Sequence, residues 1–112
     1  MKLSEHQQIF SKHIARLIRH AELLGIDLTF GEADRTEYQQ KEYVRLKKSK
    51  TMHSNHLRRL AVDFNFFING KLYYEHELIT QLGKYWESID PLNRWGGHFK
   101  SIKDNPHFER NA

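Results

Sequence analysis

A chain of 112 residues is short for one average domain, so a single compact unit, 1–112, is expected. Hydrophobic residues at 38%, with seven Phe, five Tyr and two Trp, make disorder untenable, while a mean hydropathy of -0.78 and the lack of any long apolar run exclude a membrane-spanning helix. The net charge is +4, and the absence of Cys excludes disulfides, thiolate catalysis and Cys-based metal sites, so any metal must be held by N and O ligands.

In chain order, Ser4 and Gln7 form a capping-box pattern ahead of Phe10, Ile14, Leu17, Ala21 and Leu24, spaced for an amphipathic helix that Gly25 ends. The opposite face holds Lys12, His13, Arg16, Arg19, His20 and Glu22, with both histidines expected in solvent. Ile26 to Phe30 reads as a short strand before Gly31, and Thr36 with Gln39 opens a second helix through about Leu46. Residues 41–60 hold seven basic residues and one acid, net +6, which leaves −2 for the rest. The positive charge is therefore a local patch, suited either to a polyanion or simply to solvent.

Ser49 to Asn55 reads as a surface loop. Leu60, Val62, Phe64 and Phe66 then alternate with Ala61, Asp63, Asn65 and Phe67, the period of a strand. Asn69-Gly70 marks a tight hairpin into Lys71-Leu72-Tyr73-Tyr74. Leu78, Ile79, Leu82, Tyr85, Trp86 and Ile89 mark a third helix stopped by Asp90-Pro91, with Trp86 and Tyr85 expected in the core. The tail combines a Gly96-Gly97 turn, an Asn105-Pro106 turn and a short β-like His107-Phe108-Glu109.

Asp63 stands out, because a carboxylate between Val62 and Phe64 is costly to bury unless it is paired, hydrogen-bonded or bound to a metal. His56 lies seven residues earlier, and His107 follows three residues after Asp104. Two His and one Asp supply three ligands to a tetrahedral zinc and leave the fourth position open, the arrangement of a catalytic site. Eight histidines in 112 residues also allow such a constellation by chance, and spacing alone leaves both readings open.

Ser54-Asn55-His56 followed by Ala61-Val62-Asp63 resembles the S-x-H-x(4)-A-x-D signature of the zinc peptidoglycan peptidases. That family includes D-alanyl-D-alanine carboxypeptidases, vancomycin-resistance dipeptidases and phage L-alanyl-D-glutamate endolysins. Asp104 to Glu109 is similar to its second signature, Arg35-Thr36 to its upstream Arg-Thr element, and Trp95-Gly96-Gly97 to its aromatic-glycine approach to the last motif. The four elements occur in the family's order and span about residues 28 to 109. The resemblance departs from the pattern at His98, where an acidic or amide residue is common, and at Arg59, where many members carry Gly.

The resemblance implies an α+β fold of the hedgehog-like zinc peptidase kind, a small antiparallel sheet with helices packed on one side. It implies one zinc ion held by His56, Asp63 and His107, with Asp104 as the general base. Arg35 is implied to stabilise the oxyanion or hold a substrate carboxylate, and Ser54 to contact substrate or brace the site. His53 is expected to be a loop residue, and Glu109 to face solvent or Arg110. The implied function is hydrolysis of the peptidoglycan stem peptide by a phage endolysin of the L-alanyl-D-glutamate endopeptidase type, with a D-alanyl-D-alanine carboxypeptidase or dipeptidase as the alternative. No leader is expected, so the enzyme, expected to be a monomer, would stay in the host cytoplasm until lysis and then be drawn to the anionic envelope by residues 41–60. The alternative from another class is a basic nucleic-acid-binding module without catalysis; against it, the segment has no recognition helix, zinc finger or aromatic RNA-binding signature.

Overall fold

The computed structural model describes residues 1–31, 55–100 and 102–112. The expected helix from Thr36 to Leu46, together with Arg35, His53, Ser54 and residues 41–54 of the basic patch, lies outside them. Helix α1 runs Leu3–Leu24 and buries Phe10, Leu17 and Ala21, the stripe its sequence period marks out. Its start differs from expectation: Lys2 is the N-cap, and Glu5 rather than Gln7 closes the turn, its carboxylate accepting the Lys2 N–H at 3.0 Å. The Gln7 amide is used elsewhere, donating to the Arg58 carbonyl at 2.8 Å. Gly25, at φ 83, supplies the left-handed residue of a Schellman close, with Ile26 N–H returning to the Ala21 carbonyl at 2.9 Å.

Strands β1 (Asp27–Phe30), β2 (Ala61–Ile68), β3 (Lys71–Tyr73), β4 (Asn93–Trp95) and β5 (His107–Arg110) form one antiparallel sheet in the order β1-β2-β5-β4, with β3 also paired to β2. Asn69 and Gly70 both take positive φ, 52° and 78°, as a two-residue hairpin that matches strand twist requires. Helix α2 (Glu77–Ile89) is capped by His76, whose Nδ1 accepts the Leu78 N–H at 3.0 Å. A single 3-10 turn, Gly96–His98, leaves β4. β4 was not expected as a strand; its three residues have no period of their own and are defined by pairing with β5.

Among the described residues, α1 and α2 pack on one face of the sheet, as an α+β architecture demands. Val62, Phe64, Phe66, Trp95 and Phe108 point toward them and join Phe10, Leu17, Ile79, Leu82 and Trp86 in the core. The Trp86 indole N–H donates to the carbonyls of Arg94 and Glu109, at 3.2 and 3.0 Å, and so ties α2 to β4 and β5 together. The α1 histidines are not in open solvent: His13 lies within 3.3 Å of the Asn93 amide, and His20 stacks on Tyr85 with ring centroids 3.8 Å apart.

Candidate metal centre

Since strand residues alternate, burying Val62 and Phe64 against the helices turns Asp63 to the other face. Asp63 pairs in register with His107, and Val62 with Phe108, so β5 shows the same division. The third member comes from the turn at residues 55–59, closed by Leu60 N–H to the Asn55 carbonyl at 2.8 Å and Arg59 N–H to the His56 carbonyl at 3.1 Å. Arg59 there has φ 58, the left-handed conformation that glycine adopts freely. The turn therefore keeps a glycine geometry with an arginine in it, at a cost of about 1 kcal/mol.

His56, Asp63 and His107 are all buried, at 1%, 8% and 6% exposure. His56 Nε2 lies 3.1 Å from His107 Nδ1, and each of these nitrogens lies 3.2 Å from the same oxygen, Asp63 Oδ1. The second nitrogen of His107, Nε2, is 2.6 Å from Glu109 Oε1. With Nε2–H donated there, the Nδ1 lone pair of a neutral His107 faces the Asp63 oxygen. Three such atoms converge favourably on a shared cation, or on a proton that one of the histidines donates to Asp63 in its place. Ligands about 2.05 Å from a tetrahedral centre are about 3.3 Å from one another, so the observed triangle fits a zinc-sized ion bound on one side.

Charge follows the same geometry. Burial alone would raise the Asp63 carboxyl, but the hydrogen bonds to His107 and His56 outweigh it and hold the group below its usual range. Burial disfavours the charged form of His107, yet Asp63 and Glu109 on either side raise it to about 9. Glu109 is likewise kept low against burial, by His107 and Arg94.

The Asp104–His107 turn sits beside this cluster, with Asp104 N–H donating to the Gly96 carbonyl and His107 N–H to the Asp104 carbonyl, both at 3.0 Å. Trp95 braces the turn through its indole N–H, which reaches the Asn105 carbonyl at 2.8 Å. The Phe99 ring lies 5.6 Å from that of His107. On the other flank the Asn105 amide holds the Tyr74 carbonyl at 3.0 Å. The Tyr74 phenol is raised by burial, against a hydrogen bond to the Asn105 backbone, and further by the charges of Asp104, Glu75 and Asp63.

The structure thus brings His56, Asp63 and His107 together, with half-buried Asp104 in the adjoining turn. It places Glu109 differently from expectation. Glu109 is buried at 5% and faces His107, while Arg110 points the opposite way to Asp90 at 3.2 Å, because adjacent strand residues alternate. His98 is drawn off to Glu87, at 2.6 Å. Asn55, Arg94 and Glu109 are the site neighbours that sequence reasoning missed; only the two-residue step from His107 to Glu109 could have suggested one of them.

A family model described as D-alanyl-D-alanine carboxypeptidase matches residues 47–110. No curated protein is similar enough to the chain to count as a match. Among solved structures, the L-Ala D-Glu endopeptidase ChiX of Serratia marcescens shares the fold, with a TM-score of 0.73 at 24% identity, over 98% of this chain and 86% of that one.

Proposed function

From the chain's membership in the D-alanyl-D-alanine carboxypeptidase family, a family of peptidases acting on peptidoglycan, we propose that it is a zinc-dependent enzyme cutting the stem peptide, with His56, Asp63 and His107 as the metal ligands. The observation that carries this reading is the triangle of ligand atoms at 3.1 to 3.2 Å, buried and backed by a carboxylate. A zinc ion there supplies Lewis-acid chemistry, acidifying water toward a pKa of about 7 and polarising an amide carbonyl. Asp104, in the adjoining turn, takes the proton from the attacking water and returns it to the leaving amine. Arg35 holds the developing oxyanion or a substrate carboxylate, for which a permanently charged planar fork is suited. Ser54 hydrogen-bonds the substrate.

The shared fold with an L-Ala D-Glu endopeptidase favours that bond as the target, while the family description favours the terminal D-alanine. The endopeptidase reading, with a phage endolysin as the setting, also suits the net charge of +4, since the envelope such an enzyme meets is anionic. Residues 41–60 are the segment that would provide this attraction.

Zinc content and peptidoglycan digestion, measured for the wild type and Asp104→Asn, test the reading. The expected result is about one zinc per chain in both proteins and activity reduced by roughly 10²- to 10⁴-fold in the variant. Mass spectrometry of the fragments then separates the bonds: a new amino-terminal D-glutamate marks the endopeptidase, and free D-alanine the carboxypeptidase. A wild type that neither retains zinc nor cleaves peptidoglycan would sink the proposal.

A further inference from the structure

Glu109 receives four hydrogen bonds from described residues, and they are divided between its two oxygens. Oε1 faces His107 Nε2 at 2.6 Å. Oε2 takes Arg94 Nε at 2.9 Å, Arg94 Nη2 at 2.6 Å and Asn55 Nδ2 at 3.0 Å. The arrangement follows from register, since Arg94 and Ala61 flank Glu109 in the sheet and His107 lies two residues away on the same strand face. Asn55 is the chain neighbour of His56. One buried carboxylate therefore grips the two segments that carry the two histidines, β5 directly and the turn at residues 55–59 through Asn55.

We propose, resting on the metal-site reading above, that Glu109 is a positioning residue that sets metal affinity by holding His107 with its proton on Nε2 and by fixing the separation of His107 from His56. A metal-ligating imidazole must offer a bare nitrogen, and the hydrogen bond on its other nitrogen decides which one is bare. Here three N–H groups around Oε2 demand an acceptor at that position, which leaves Oε1 to accept from His107. The assignment of the proton follows from this network.

The same network predicts how the isosteric variant fails. In Glu109→Gln the amide oxygen must take the Oε2 position, among the Arg94 and Asn55 donors, so the amide NH₂ falls against His107 Nε2. That nitrogen must then accept, its proton moves to Nδ1, and the ligand atom is blocked. A near-neutral change of shape thus inverts the tautomer.

The test is zinc affinity by chelator competition, with nitrogen NMR of the histidine rings of the metal-free protein. The expected results are a roughly 10- to 100-fold loss of affinity in Glu109→Gln and an Nδ1–H pattern for its neutral His107. Adding Arg94→Leu to Glu109→Gln removes two of the three donors, lets the amide turn over, and recovers part of the loss. Arg94→Leu alone, at a half-exposed side chain that the fold can spare, weakens zinc less than Glu109→Gln does. It stands as the test by itself should Glu109→Gln fail to fold: it must then weaken zinc measurably. Wild-type zinc binding with both single variants within twofold of it overturns the proposal. A wild type that binds no zinc overturns the metal-site reading instead.

Discussion

Gly96 is where a single methyl group should separate stability from activity. A Cβ built on it lies 2.0 Å from the Asp104 carbonyl oxygen and 2.9 Å from His107 Cβ, whereas carbon and carbonyl oxygen rest at about 3.3 Å or more. Gly96→Ala must therefore push the Asp104–His107 turn away by about 1 Å, since both clashing partners belong to it. The strain should cost about 1–3 kcal/mol. An unfolding entropy of about 2.1 cal/mol/K per residue over 112 residues makes 2 kcal/mol worth about 8 °C in Tm. The displacement moves a proposed ligand and the proposed base together, so turnover should fall by roughly 100-fold or more. Gly25→Ala is the control: nothing lies within 4 Å of its Cβ, but φ 83 imposes a left-handed penalty of about 1 kcal/mol on any side chain. It should lower Tm and leave peptidoglycan turnover per folded molecule intact. Thermal melts and turnover assays at saturating zinc read both quantities. Gly96→Ala with turnover within threefold of wild type would refute the reasoning, because it would show that the turn can move without consequence.

Metal removal gives a second expectation. The three proposed ligands come from the turn at residues 55–59, β2 and β5, so an ion at 1,000 times its Kd should add about 4 kcal/mol to the folded state, or about 17 °C in Tm. Identical melting curves with and without chelator would contradict this. A third concerns pH. The Leu92 N–H at 2.8 Å and then Arg110 at 3.2 Å hold the Asp90 carboxyl below its ordinary value of 3.8, with burial opposing. A depressed carboxyl contributes its stability above its unfolded pKa and loses it as pH falls through the folded one. The gap between wild type and Asp90→Ala should thus narrow progressively as pH falls below about 4 and through the depressed pKa of Asp90; urea melts from pH 7 to pH 2 decide, and a gap that does not narrow contradicts the assignment.

What could be read from the chain beforehand was whatever depends on local pattern. Alternation along Leu60 to Phe67 marked Asp63 as a carboxylate set among apolar strand residues, and Asn69-Gly70 announced a turn whose two positive φ angles are observed. Pattern of this kind works because side-chain period and turn conformation are settled within a few residues. The capping pair at Ser4 and Gln7 failed even so, because the helix could begin two residues earlier, with Lys2 as N-cap and Glu5 closing the box. The Gly96-Gly97 pair was legible as a turn, but the constraint on Gly96 is the approach of a turn eight residues away in sequence. β4 exists only because β5 lies beside it.

Glu109 shows why the layer behind the proposed ligands escaped. Its neighbour Arg110 is the obvious partner on paper, and alternation rules that pairing out as soon as β5 is known to be a strand buried on both faces. Which side Glu109 faces then depends on the register of Asp63 with His107, a long-range fact that no local window contains. Once that register is set, Ala61 is the small residue opposite Glu109, Arg94 arrives from β4, and Asn55 from the turn before β2. The three proposed ligands could be named from spaced motifs because each carries its own donor atom. The side chains that aim them carry nothing recognisable alone, and they become functional only through the pairing of β2, β5 and β4.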